Sequence, residues 1–203
     1  MPVGTQKIIG VDFDEVIAES YRAMCALHSR NTGRRHTIED CVTHDLCKLW
    51  GVEMSYLVRL LQEHLRGGAM HHPPFLSGAK QGIKTLSKRF GVAIVTARDV
   101  CFESATHAQI DALECDIHAV HLCTDASGKT ASKAEICRNH GYLALVDDNA
   151  SAVNDCVRAG LGGFVFGNYP WNRDYPVIPS ACRVNSWRDL LEAIEVGALD
   201  YLL

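Results

Sequence analysis

Five short apolar runs, residues 7–12, 92–96, 119–123, 143–147 and 163–166, are built from Ile, Val, Ala, Leu and Phe without polar alternation. Such runs fit strands buried on both faces. The stretches that separate and follow the later runs carry helical spacing. Residues 78–90 place Ile83, Leu86 and Phe90 on one stripe, and 103–113 follow the second run. Residues 132–140 open with Ser132 as a cap, have Glu135 three positions on, and stop at Gly141. Residues 150–159 run to Gly160, and 187–196 follow Ser186. Strand and helix alternating through short loops predict an α/β fold: a Rossmann-like parallel sheet with helices on both faces.

One interval breaks the rhythm. Asp14 and Thr96 are 82 residues apart, whereas a single crossover needs roughly 30. The surplus reads as helical: 21–30, a piece from Thr37 to Leu49 with Asp40 three residues after Thr37, and 54–65 with Leu57, Leu60, Leu61 and Leu65 on one face. His71-His72-Pro73-Pro74 then ends the helical pattern. The expected organisation is a core domain of residues 1–19 and 76–203, with a small helical cap of residues 20–75 inserted after the first strand.

Candidate chemistry sits where these runs end. Asp12 and Asp14, two apart at the end of the first, share a strand face. That arrangement calls for a cation or for one carboxyl kept protonated, though an isolated Asp-x-Asp is most often a solvated strand end. The second run ends in Thr96-Ala97-Arg98, where a hydroxyl and backbone N–H beside a helix start would suit phosphate oxygens. Lys133 falls in the first turn of a helix, where the macrodipole disfavours a cation and an anionic partner is needed; Lys129 competes for that role. The fourth run ends in Asp147-Asp148-Asn149, which fits either a cation site or a helix cap. A late irregular stretch contains Pro170-Trp171-Asn172-Arg173.

In order, Asp-x-Asp, a strand ending in Thr, a Lys and a strand ending in Asp-Asp resemble the four motifs of the haloacid dehalogenase superfamily of phosphohydrolases. The short helical insertion, Val95-Thr96-Ala97-Arg98 and Pro170-Trp171-Asn172-Arg173 are similar to its 5′(3′)-deoxyribonucleotidase group. Glu15 departs from that group, which usually has Gly there. The resemblance implies Asp12 as nucleophile and Asp14 as acid and base. It also implies Mg²⁺ on the Asp12 carboxylate, the Asp14 carbonyl and Asp147, with Asp148 in support, and phosphate held by Thr96, Ala97 and Lys133. Serving as both acid and base suits an Asp14 pKa raised by its neighbours. Tyr21, Trp50 and the segment Trp171, Asn172 and Arg173 are candidates for contacting the leaving group. Arg98 is either a buttress of the site or a structural ion pair. The expected activity is a magnesium-dependent phosphatase of a nucleoside 5′-monophosphate; a sugar-phosphate phosphatase and a non-catalytic binder of a phosphorylated ligand are the rivals. Lys48, the lysine a phosphonatase would need from the insertion, has an unremarkable context.

Composition narrows the partners. A formal charge of −4 argues against a nucleic-acid polymer, while residues 20–75 carry seven Lys/Arg against five Asp/Glu, a sign suited to covering an anion. Nine cysteines without paired spacing fit a reducing, cytoplasmic setting. No apolar stretch approaches the ~18 residues of a membrane span, and no signal-like segment precedes the first strand. The sequence allows a homodimer without specifying one.

Overall fold

A computed structural model describes residues 6–66, 73–125 and 127–203; the side chains of Leu61, His64, Leu65 and Arg66 lie outside that description, as do His71 and His72. The strands are β1 (Ile8–Val11), β2 (Gly91–Asp99), β3 (Ala119–Thr124), β4 (Ala144–Asp147), β5 (Gly162–Phe166) and β6 (Cys182–Val184). They form one sheet in the order β3-β2-β1-β4-β5-β6, parallel at every pairing. Because β1 is central, Asp12 leaves the sheet between the ends of β2 and β4, beside the point where the strand order reverses. Open α/β sheets bind ligands there.

Alternation along each strand divides the core. Ile9, Val11, Val92, Ile94, Ala144, Val146, Phe164 and Phe166 face a cluster completed by α4 (Ala79–Leu86), α5 (Glu103–Asp111) and α8 (Trp187–Glu195). Ala93, Val95 and Leu145 face the other way, onto Ile136, Cys137 and Cys156 of α6 (Lys133–Asn139) and α7 (Ala150–Arg158). Helices therefore cover both faces, as the pattern predicts.

Between β1 and α4 lie α1 (Ser20–Thr32), α2 (Leu46–Trp50) and α3 (Met54–Arg66). Entry and exit of this segment run side by side: Glu19 N–H donates to the Pro74 carbonyl (2.9 Å) and Leu76 N–H to that of Ile17 (2.8 Å). Met24, Cys25, Cys41, Leu46 and Leu60 form its apolar centre.

The structure departs from the sequence reading at three places. Residues 37–49 are not one helical piece. Thr37 and Asp40 cap only a 3-10 turn, Ile38–Asp40, and Asp45 then caps the separate α2 by accepting the Lys48 N–H. Strand β6, absent from the sequence reading, is three residues long and owes its conformation to pairing with β5. Finally, β2 continues past Thr96 through a register shift between Thr96 and Asp99. Helix α5 begins only at Glu103, so Thr96 does not stand beside a helix start.

Candidate active site

Asp12 follows β1 directly and is anchored by its own N–H, which donates to the Val146 carbonyl of β4 at 2.9 Å. Its side chain is 8% exposed. Lys133 Nζ stands 2.9 Å from Asp12 Oδ2 and 2.7 Å from Asp147 Oδ2. The cation in the first helical turn thus meets two buried anions, the partners its position demanded. Ser132 and Glu135 form the capping box that sets this turn. Lys129, by contrast, lies in an exposed turn with its N–H on Asp125.

Asp147 Oδ1 accepts the Asn149 N–H (2.8 Å), and Asn149 caps α7 through the N–H groups of Ser151 and Ala152. Asp148, 4% exposed, accepts the Trp171 indole N–H at 2.7 Å. One ligand atom each from Asp12, Asp147 and Asp148 lies within 4.8 Å of the other two. Asp12 Oδ1 is buried with no hydrogen-bond partner. An orphaned carboxylate oxygen in an all-oxygen cluster fits a hard divalent cation such as Mg²⁺.

Burial, reinforced by the charges of Asp147 and Asp14 and opposed by Lys133, pushes the Asp12 carboxyl up to about 7. Burial and then the charges of Asp147 and Asp12 raise Asp148 as well.

Asp14 behaves otherwise. Arg98 grips it with two parallel bonds, Nε to Oδ2 at 2.9 Å and Nη2 to Oδ1 at 2.7 Å, and Ser20 Oγ donates to the same carboxylate. Burial works to raise this carboxyl, but the Arg98 charge and bonds together with Ser20 outweigh it, so its pKa falls below 3.8. The expectation that its neighbours raise it is corrected: the carboxyls of the cluster that are pushed up are those of Asp12 and Asp148. Arg98 is itself fixed by Thr106 and Gln109 and stacks over Phe13. The register shift in β2 brings it here, since an irregular strand end re-aims the side chains it carries.

Beside Asp14 opens a cavity of about 610 Å³. Asp14, Ala97 and Arg98 lie on its core side; Ser20, Tyr21, Met24, His44, Leu46, Leu57 and Val58 come from the inserted helical segment. Thr96 is fully buried beneath it.

The sequence from residue 6 to 199 matches the family described as 5′ nucleotidase, deoxy (pyrimidine), cytosolic type C protein. The chain belongs to this family. It is a phosphatase of the haloacid dehalogenase type, a hydrolase of phosphoric monoesters. No curated protein matches the sequence. Among solved structures it is similar to a conserved haloacid dehalogenase-like protein of unknown function from Agrobacterium tumefaciens (TM-score 0.67, 14% identity, 95% of this chain and 99% of that one). It is also similar to a predicted phosphatase from Clostridium acetobutylicum (0.66, 10%, 94% and 99%). A third is YfnB of Bacillus subtilis, solved bound to magnesium (0.61, 14%, 94% and 99%). At such identities the likeness speaks for the fold.

Of the candidate leaving-group contacts, all but Tyr21 lie outside the cavity lining. Trp171 and Asn172 are 7% and 0% exposed and are not among the cavity-lining residues. Asn172 donates to the carbonyls of Asp148 and Phe166, tying the loop behind the carboxylates. Arg173 is exposed and pairs with Glu39. Trp50 stacks on His28 inside the inserted segment, 4.0 Å between centroids. Tyr21 does line the cavity.

His44, which the sequence reading passed over, lies 3.9 Å from Asp148 Oδ2; an isolated His between a Thr and an Asp carries no signal of this. Glu15 adopts a left-handed backbone, φ 57°, the conformation in which glycine costs least. Its buried carboxylate takes the Tyr21 N–H at 2.6 Å, capping the start of α1.

Proposed function

We propose that this phosphatase hydrolyses nucleoside 5′-monophosphates with Mg²⁺, through a phosphoryl group carried on Asp12, beneath a cap formed by residues 20–75. One observation carries the reading: a buried carboxylate with an unpartnered oxygen, Asp12, is flanked by a lysine and two more carboxylates, and Asp14, two residues on, lines a cavity walled by the insertion. Asp12 attacks phosphorus, the phosphorus–oxygen bond to the leaving group breaks, and water later releases phosphate from Asp12. Asp14 is the neighbouring group able to give a proton to the leaving alkoxide and to take one from that water. Its deprotonated state in the Arg98 grip suits the second task; the first requires it to gain a proton as the grip loosens. Lys133 would balance charge on the transferring group, and the backbone at Thr96 and Ala97 would hold its oxygens, as the resemblance implies. Asp12, Asp147 and Asp148 would hold Mg²⁺, with the Asp14 carbonyl as the further ligand that the resemblance implies. Bound there, the ion would offset the carboxylate charges that otherwise repel a phosphate dianion.

A cavity near 610 Å³ is of the size that encloses a drug-sized or nucleoside-sized group. Its Met24, Leu46, Leu57, Val58 and Phe102 lining suits a flat apolar base with few polar anchors. The family's description supports a deoxynucleotide, and the word cytosolic in it supports a cytoplasmic setting. Among the described residues no helix is long and apolar enough to cross a membrane.

The test is phosphate release from a panel of nucleoside and sugar monophosphates with Mg²⁺, for the wild type and for Asp12→Asn. Turnover highest on nucleoside 5′-monophosphates and abolished in a normally folded variant is expected. Preference for a sugar phosphate would overturn the substrate assignment, and turnover surviving Asp12→Asn would overturn the nucleophile.

A further inference from the structure

Trp171 stands where the two halves of the chain meet. Its N–H reaches Asp148 Oδ2 at 2.7 Å. Its ring stacks on Tyr169 with centroids 4.7 Å apart and planes 9° from parallel, and lies 4.8 Å from Tyr21 and 5.3 Å from His44. It also joins the buried apolar cluster of the inserted segment, beside Met24, Cys25, Cys41, Leu46 and Leu60. Asn172, the next residue, fastens the loop to the Asp148 and Phe166 carbonyls. The indole is thus held by contacts on both sides.

Asp147 has two partners, Lys133 and the Asn149 N–H, and Asp12 has Lys133. Asp148 lacks a lysine. Among the described residues its donor is this neutral N–H, on Oδ2. Carboxylates that bind cations depend on such outer partners for orientation.

We propose that Trp171 is the positioning residue of Asp148: its indole N–H holds Oδ2 so that the carboxylate is presented to the cation in one orientation. The same ring docks the inserted segment, so seating of that segment and readiness of the ion site share one contact. This inference rests on the proposed Mg²⁺ site.

Trp171→Phe removes the donor and keeps an aromatic ring in the stack. Titration calorimetry of Mg²⁺ without substrate should show affinity weakened by roughly 10- to 100-fold, the usual consequence of losing an outer partner. At saturating Mg²⁺, kcat should return to near the wild-type value, which a general loss of structure would not allow. Trp50→Phe, which alters a ring stacked on His28 in the inserted segment away from Asp148, should bind Mg²⁺ like the wild type. Unchanged affinity in Trp171→Phe, or equal weakening in both variants, overturns the proposal. A wild type that binds no Mg²⁺ removes the metal reading and this one with it. Should Trp171→Phe fail to fold, 3-benzothienylalanine at position 171, isosteric but without the N–H, gives the same measurement.

Discussion

Replacing Lys133 by Met keeps the length of the side chain and removes its charge. Nζ stands 2.9 Å from Asp12 and 2.7 Å from Asp147, with all three groups buried. At an effective dielectric of about 20, each contact amounts to about 6 kcal/mol of Coulomb attraction. Much of that is offset by the desolvation of the ions, and removing one member of a buried pair typically costs about 3–5 kcal/mol. In chelator-treated protein at a pH above 7, urea unfolding of Lys133→Met should therefore show a lower midpoint at unchanged slope.

The pH dependence supplies an internal check. Burial, aided by Asp147 and Asp14 and opposed by Lys133, raises Asp12 from 3.8 to about 7. A carboxyl raised in the fold binds its proton more tightly there than in the unfolded chain, so stability falls as pH climbs from 3.8 to about 7. Without Lys133 the folded pKa rises further, and the decline continues to higher pH. The gap between the two proteins should be narrow where both keep Asp12 protonated and should widen above pH 7. Lys133 itself does not titrate in this range. Burial lowers its pKa, but the two carboxylates outweigh that and hold it above 10.5. A gap that is constant from acid to alkaline pH, or smaller than about 1 kcal/mol above pH 7, would refute the reasoning.

Three further outcomes follow from the same geometry. Arg98→Lys keeps the charge but loses the two-pronged grip on Asp14; kcat should fall, by up to about 10²-fold if Asp14 shifts by an ångström, with KM changed less, and steady-state kinetics showing an unaltered kcat would count against Arg98 as a support. Gly82→Ala puts a Cβ 2.3 Å from Cε3 of the buried Trp187, whose indole is tied to the Val16 carbonyl; overpacking of about 1–3 kcal/mol exceeds the helix-propensity gain of about 1 kcal/mol, so denaturation should show a net loss, and a more stable variant would contradict it. Burial, then the charge of His36, holds the His28 ring below 6.5. The unfolded chain takes up that proton first, so stability should decline below pH 6.5 in the wild type and decline less in His28→Gln, as thermal midpoints across pH would reveal; parallel profiles would disprove the assignment.

What could be read from sequence is what local chemistry encodes. The five apolar runs are strands because Val, Ile and Phe at successive positions must be buried on both sides, and the lysine in the first turn of α6 had to find anions. The rest depends on contacts distant in sequence. Arg98 meets Asp14 across 84 positions, and nothing in the string Thr-Ala-Arg tells whether the guanidinium faces solvent or the site. Asp14 lost its expected high pKa chiefly for that reason, with Ser20 in support. Trp171 lies 23 residues from Asp148, and an aromatic in a Pro-rich loop reads equally well as a ligand contact or as packing. Residues 37–49 contain correct cap signals at Thr37 and Asp45; the break between them arises because Cys41 turns inward, 1% exposed, against Cys25.

The charges converging on this site argue for what completes it. Four carboxylates, those of Asp12, Asp14, Asp147 and Asp148, meet two cationic side chains. Arg98 is spent on Asp14, and Lys133 is shared between Asp12 and Asp147. Asp148 keeps only a neutral N–H and a histidine at 3.9 Å whose pKa is lowered, chiefly by burial. Fully ionised, the cluster has an excess of two negative charges, and burial first, with the neighbouring carboxylates second, raises the pKa values of Asp12 and Asp148. Protons could remove it, but a protonated Asp12 could not act as the nucleophile proposed above. A divalent cation removes the same excess while leaving Asp12 ionised, which makes an all-oxygen trio with an unpartnered Asp12 oxygen more useful to a phosphatase than a neutral cluster would be.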